Sequence, residues 1–123
     1  MSIFGIGNDI VEILRIEKAL SKNGFKERVF TKKEIENIDR RGGKIESYAG
    51  RFSAKEAISK ALGTGVRGFN LVDIEILNNE QGKPEVFLYN NLKDIEKEFQ
   101  IQISISHCKE YATAVAIIFK KED

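Results

Sequence analysis

The chain is poor in the residues that build metal cages, staples and linkers: its 123 residues hold one cysteine, one histidine, one proline and no tryptophan. A lone cysteine, Cys108, cannot close an intrachain disulfide, which fits a reducing compartment. One histidine with one cysteine cannot form a His/Cys zinc cage, so any metal is expected to be a hard ion held by oxygen. There are no repeats, low-complexity segments or Pro/Gly-rich linkers. No apolar run nears the roughly 18 residues of a membrane span. The N-terminus lacks the basic stretch, apolar run and cleavage site of a secretory signal. A cytoplasmic protein without a membrane partner is expected. Neither charge sign dominates: 20 Lys and Arg against 19 Asp and Glu leave a net charge of +1. That balance argues against broad nucleic-acid binding, which needs a basic surplus.

What is present describes a globular protein, with 41% hydrophobic and 32% charged residues. A single domain over 1–123 is expected. Ile3 to Ile10 reads as a strand with Gly5 and Gly7 on one face, open to a close backbone approach. Ile13 to Lys22 reads as a helix stopped by Asn23-Gly24. Thr31 with Glu34 is a capping box that starts a helix at Lys32. A long helix is predicted from about Lys44 to Leu62, stopped by Gly63-Thr64-Gly65. Val72 to Leu77, Glu85 to Tyr89, Gln100 to Ser106 and Tyr111 to Phe119 read as strands, and Asn90 to Glu98 as a short helix or irregular chain. The last strand is apolar on both faces from Ala114 on, which places it at the centre of a sheet or in a subunit interface. A strand, then helices, then mostly strands is an α+β pattern: a mostly antiparallel sheet packed on a long helix.

The long helix carries a carboxylate on an apolar stripe. Ile45, Tyr48, Ala49 and Phe52 share one face, and the next turn of that face holds Glu56, then Ser59 and Lys60. A carboxylate there signals a structural ion pair or a site, and Lys60 is the natural partner in either case. Asp9 is a second oxygen donor or the cap of the following helix. Lys60 with the Gly63 turn can meet a phosphate or simply close a helix C-terminus; this is not a P-loop, because the glycines follow the helix. Ser104, Ser106 and His107 line a polar ligand site or the wet edge of a strand, and no nucleophile elbow surrounds either serine. Arg15, Lys18 and Lys22 share one face, with Lys26 and Arg28 nearby, forming a solvated surface or a dock for an acidic partner.

Five segments in one order resemble the holo-acyl-carrier-protein synthases, the short trimeric branch of the phosphopantetheinyl transferases. They are Gly5-Ile-Gly-Asn-Asp9-Ile-Val-Glu-Ile-Leu-Arg15, Phe25-Lys-Glu-Arg-Val-Phe-Thr31, Arg51-Phe-Ser-Ala-Lys-Glu56-Ala-Ile-Ser-Lys60-Ala-Leu-Gly-Thr-Gly65, Gly82-Lys-Pro84 and Ser104-Ile-Ser-His107-Cys-Lys-Glu-Tyr-Ala112. The chain departs from the pattern at Asn8 and Gly24, and a short loop before the long helix leaves Lys44 as the basic contact for a nucleotide phosphate.

The resemblance implies transfer of 4′-phosphopantetheine from coenzyme A to a serine of apo acyl carrier protein, with release of 3′,5′-ADP, in fatty acid biosynthesis. It implies Asp9 and Glu56 as Mg²⁺ ligands and Lys60 as the group meeting the transferring phosphate. Coenzyme A would be held by Lys44, Arg51, Lys60, Gly63, Pro84, Ser104, Ser106 and His107. Acyl carrier protein would be gripped by Arg15, Lys18, Lys22, Phe25 and Arg28. A homotrimer with active sites between subunits is expected. The general base lies between Glu56 and a water, and the water is preferred because a cation depresses the basicity of its carboxylate ligand. Two other classes stay open: a noncatalytic coenzyme A-binding module would keep the phosphate contacts without Mg²⁺-dependent turnover, and a nucleic-acid binder using the Arg15–Arg28 face would have no need of Asp9 and Glu56.

Overall fold

The computed structural model describes residues 2–63 and 68–122. The chain opens with strand β1 (Ile3–Glu12), then helices α1 (Ile13–Leu20), α2 (Phe25–Val29), α3 (Lys32–Arg40) and α4 (Ile45–Leu62). Strands β2 (Ile74–Asn78) and β3 (Pro84–Leu88), a short helix α5 (Ile95–Glu98), and strands β4 (Phe99–His107) and β5 (Tyr111–Lys120) follow. Strands β1, β5 and β4 form one antiparallel sheet with β5 in the centre, while β2 and β3 pair as a separate hairpin. This is the α+β architecture expected, and β5 holds the central place its apolar faces imply.

Two glycines set the distance between sheet and long helix. A Cβ on Gly5 would lie 2.0 Å from the Ala61 carbonyl oxygen, and one on Gly7 would lie 2.1 Å from that of Ala57. Any side chain at either position would push β1 off α4, so both glycines serve the close approach their alternation predicts. Ala54, Ala57, Ile58, Ala61 and Leu62 then bury against Ile74, Ile76, Leu88, Leu92 and the inward residues Ala114, Ala116 and Ile118 of β5. A second cluster joins Ile13, Ile16, Val29, Phe30, Ile38, Tyr48 and Ala49 beneath α1, α2 and α3.

The capping box forms as predicted: Thr31 Oγ1 accepts from the Glu34 N–H at 3.1 Å, and Glu34 Oε1 accepts from the Thr31 N–H at 2.9 Å. Strand ends shift by one or two residues, and the helices and turns differ more. The first helix ends at Leu20, capped by Ser21, whose hydroxyl donates to the Lys18 carbonyl at 2.6 Å. Lys22 therefore sits in the turn beyond it. Phe25 to Val29 is a helical turn that the sequence reading missed; it is too short for a periodic signal and is opened by Gly24 at φ +85°. Residues Leu71–Asp73 form a 3₁₀ turn instead of the start of a strand, because Asp73 Oδ2 accepts from the Asn70 N–H at 2.9 Å and draws the backbone round. Lys44 is the N-cap of α4 and not its first residue. Of the glycine turn after α4, Gly63 has φ +63°, and Thr64 and Gly65 lie outside the described residues.

The largest correction concerns α4 itself. It buries Tyr48, Ala49, Arg51, Ser53, Ala54, Lys55, Ala57 and Ile58, residues that go round the whole cylinder. It lies between the three-stranded sheet on one side and the hairpin with α3 on the other, so it has no single apolar stripe. The fully buried charge is Lys55, and Glu56 is only half-buried.

Candidate active site

Asp9, Glu56 and Lys60 come together where β1 crosses α4. Lys60 Nζ lies 3.1 Å from Asp9 Oδ1 and 3.0 Å from the Asn8 carbonyl oxygen. Lys60 is 56% exposed and Asp9 15% exposed, so solvent and ligand reach the pair from one side. The Glu56 carboxyl is pushed above the usual carboxylate range, first by burial and second by the Asp9 charge, with Lys60 acting in the opposite sense. Two carboxylates thus share one ammonium.

This donor set suits a hard divalent cation. It offers carboxylate oxygens only, and the repulsion between Asp9 and Glu56 is what a cation between them would relieve. Among the described residues no group of three or more Asp, Glu, His or Cys is placed to hold a metal ion. A two-carboxylate site would suit a cation that keeps waters and substrate phosphates in its shell.

A cleft of about 350 Å³ opens beside β4, lined among others by Arg41, Glu46, Arg51, Pro84, Ser104 and His107. It gathers four of the residues expected to hold coenzyme A. Arg41 joins them from the turn after α3, a position whose place beside the cleft is set by the Gly42-Gly43 turn and carries no signal in sequence.

Of the other residues expected to hold coenzyme A, Lys44, Lys60, Gly63 and Ser106 lie outside this lining. Arg51 lines the cleft but is 5% exposed. Its guanidinium donates to the Ile76 carbonyl, the Asn78 side-chain oxygen and, at 2.8 Å, Asn37 Oδ1. Those bonds make it the floor that ties α4 to β2, with its donors directed into the protein. Lys44 is exposed and Ser106 points to solvent from β4; neither lines the cleft.

The cleft and the carboxylate cluster occupy different parts of α4. The cleft takes Glu46, Ser47, Gly50 and Arg51, and the cluster takes Glu56 and Lys60. At 1.5 Å per residue the two stand on the order of 12 Å apart along the helix. They also flank opposite edges of the sheet, β4 and β1, which lie two strands, about 10 Å, apart.

The basic face is exposed as expected: Arg15, Lys18, Lys22 and Arg28 all reach solvent. Phe25 is half-buried, with its ring 6.2 Å from that of Phe52, so it presents an apolar floor beside the charges. On the sheet's outer surface Ile6 and Ile10 are each 66% exposed, beside half-buried Val115 and Ile117. No helix among the described residues is long and apolar enough to cross a membrane.

Known proteins resemble this chain over nearly its whole length. The family model of the 4′-phosphopantetheinyl transferase superfamily matches residues 5–116. The holo-[acyl-carrier-protein] synthase of Fusobacterium nucleatum is 61% identical over 120 residues, covering 94% of this chain and 98% of its own. The crystal structure of the Bacillus anthracis holo-(acyl-carrier-protein) synthase in complex with CoA (3′,5′-ADP) superposes with a TM-score of 0.79 at 39% identity, over 99% of this chain and 100% of that one. The Helicobacter pylori synthase in complex with coenzyme A gives a TM-score of 0.81 at 36% identity, over 93% and 99%. With full-length likeness in sequence and in fold, the chain belongs to the holo-[acyl-carrier-protein] synthases of the 4′-phosphopantetheinyl transferase superfamily.

Proposed function

We propose that this chain moves 4′-phosphopantetheine from coenzyme A to a serine of apo acyl carrier protein and releases 3′,5′-ADP, priming the carrier for fatty acid biosynthesis in the cytoplasm. The observation that carries the mechanism is the paired carboxylates Asp9 and Glu56 beside the exposed ammonium of Lys60. In the reaction the serine oxygen bonds to the phosphorus that bears pantetheine. The bond from that phosphorus to the bridging oxygen breaks, and 3′,5′-ADP departs with the electron pair. A Mg²⁺ held by Asp9 and Glu56 would supply charge neutralisation at the phosphate oxygens. Lys60 adds a second positive charge where the leaving phosphate gathers negative charge. The cleft of Arg41, Pro84, Ser104 and His107 orients the nucleotide. A carboxylate that ligates a cation loses basicity, so the serine proton passes to a water of the site in preference to Glu56.

Mass spectrometry of apo acyl carrier protein, incubated with coenzyme A, Mg²⁺ and the purified chain, tests this reading. A gain of one phosphopantetheine supports it; an unmodified carrier, with coenzyme A bound, would point to a noncatalytic module.

The carrier docks on Arg15, Lys18, Lys22 and Arg28, with Phe25 beneath. Acidic surfaces are drawn to such faces, and the attraction is screened beyond about 10 Å at 0.1 M salt. Arg15→Glu is expected to raise KM for the carrier about tenfold while KM for coenzyme A holds; equal carrier kinetics at low and high salt would make this face merely solvated.

Assembly follows from the outer face of the sheet. Ile6, Ile10, Val115 and Ile117 form an apolar surface that a homotrimer would cover, bringing the carboxylate cluster of one chain toward the nucleotide cleft of its neighbour. Val115→Asp is expected to yield monomers by light scattering and to remove transfer activity with them. A fully active monomeric wild type would refute the shared site.

A further inference from the structure

Serines in helices usually turn their hydroxyl back to the carbonyl four residues earlier. Ser59 does so here, donating to the Lys55 carbonyl at 2.9 Å. Ser53, two turns nearer the start of the same helix, does not. Its side chain is fully buried, at 0% exposure, and its hydroxyl leaves the helix for β1, 3.1 Å from the Asp9 carbonyl oxygen and 3.2 Å from Asp9 Oδ2.

The Asp9 carbonyl already has a donor in Thr113 Oγ1 at 2.7 Å, and Asp9 Oδ1 has Lys60 Nζ at 3.1 Å. That leaves Oδ2 as the oxygen for which the Ser53 proton matters. We infer that Ser53 is a positioning residue that fixes the Asp9 carboxylate from inside the protein, holding it ready for the divalent cation. This rests on the reading of Asp9 and Glu56 as the metal ligands. A carboxylate free to rotate about its last bond must be ordered at the moment of binding; one held by a buried hydroxyl is ordered beforehand. Such outer contacts to a ligand are worth tenfold or more in metal affinity.

The site of the hydroxyl also makes a clean test. Ser53→Ala removes one oxygen from a helix interior, where alanine is the better helix former, so the fold is expected to stand. The probe is Mn²⁺, titrated by electron paramagnetic resonance into the full chain saturated with coenzyme A, with coenzyme A alone as the blank. Ser53→Ala is expected to weaken Mn²⁺ binding about tenfold, to raise the Mg²⁺ concentration for half-maximal transfer by the same factor, and to leave KM for the carrier and the melting temperature in chelator unchanged. Asp9→Asn in parallel separates the two ideas. If wild type and Asp9→Asn bind Mn²⁺ alike, the metal assignment falls and the Ser53 inference with it. If Asp9→Asn loses Mn²⁺ while Ser53→Ala binds as wild type does, the metal assignment stands and the Ser53 inference is overturned.

Discussion

Lys55 and Glu56 are neighbours on one helix and live in opposite circumstances. Lys55 is sealed: its Nζ donates to the Val29 carbonyl at 2.6 Å, Glu34 Oε1 at 2.6 Å and the Leu71 carbonyl at 3.1 Å. Glu34 in turn accepts from the backbone N–H groups of Thr31 and Ile76, and both residues are 0% exposed. Burial pushes Glu34 up and Lys55 down, while each opposes the shift in the other. Every polar atom of that pair is spoken for, and it ties α2, α3, α4, the Leu71–Asp73 turn and β2 together. Glu56 faces the other way, beside a second carboxylate and one exposed ammonium. Where charges are matched and satisfied they hold the fold; where they are left in surplus, a ligand is meant to complete them.

The difference is sharpened most by removing the surplus charges. Asp9→Asn or Glu56→Gln is expected to cut transfer at least about 10³-fold, roughly 4 kcal/mol of transition-state stabilisation, with the circular dichroism of wild type. Chelator should abolish wild-type turnover, and Mg²⁺ or Mn²⁺ should restore it. A double variant with full activity would make the cluster ornamental.

Lys55→Met attacks the other side. It leaves Glu34 buried without its cation and the Val29 carbonyl without the Lys55 donor, and should cost about 3 kcal/mol in denaturant unfolding. Adding Glu34→Gln should return part of that loss, since a neutral pair no longer buries a lone charge. If Lys55→Met unfolds at the wild-type midpoint, the buried pair is not a clasp.

How far this contrast shows in sequence depends on what sets it. The Gly5/Gly7 alternation, the Thr31–Glu34 box and the alternating Ile101, Ile103 and Ile105 are local signals, and local backbone physics reads them correctly. The place of Asp9 beside Lys60 is a contact across 51 residues, visible only through the resemblance. Which of Lys55 and Glu56 is buried depends on how many sides of α4 are covered. A stripe on one helix assumes one covered side, so it points Glu56 inward and gives no sign of Lys55. The inward bonds of Arg51 are hidden for a related reason: its partners Asn37, Ile76 and Asn78 lie on elements that only the tertiary fold brings to it. The Leu71–Asp73 turn was hidden because an aspartate that hydrogen-bonds its own backbone looks, in an alternating stretch, like any outward polar residue.

The smallest effect is the most diagnostic. Burial and the Asp9 charge raise the Glu56 carboxyl in the fold above its unfolded value of 4.5. Between the two values the native state holds more protons than the unfolded chain, so stability falls as pH rises through that window and stays lower above it. At neutral pH without metal, ionised Glu56 is therefore a burden on the fold. Glu56→Gln in chelator should raise the melting temperature at pH 7 by only about 1–2 °C, because solvent screens a half-buried group. The gain should vanish below about pH 4, where the wild-type carboxyl is protonated as well. Mg²⁺ should raise the melting temperature of wild type and leave that of Glu56→Gln nearly where it was. Calorimetric scans across pH give the answer. A drop in melting temperature at pH 7 on replacing Glu56 would mean that its attraction to Lys60 outweighs burial and Asp9, and that Glu56, like Glu34, is one half of a structural ion pair.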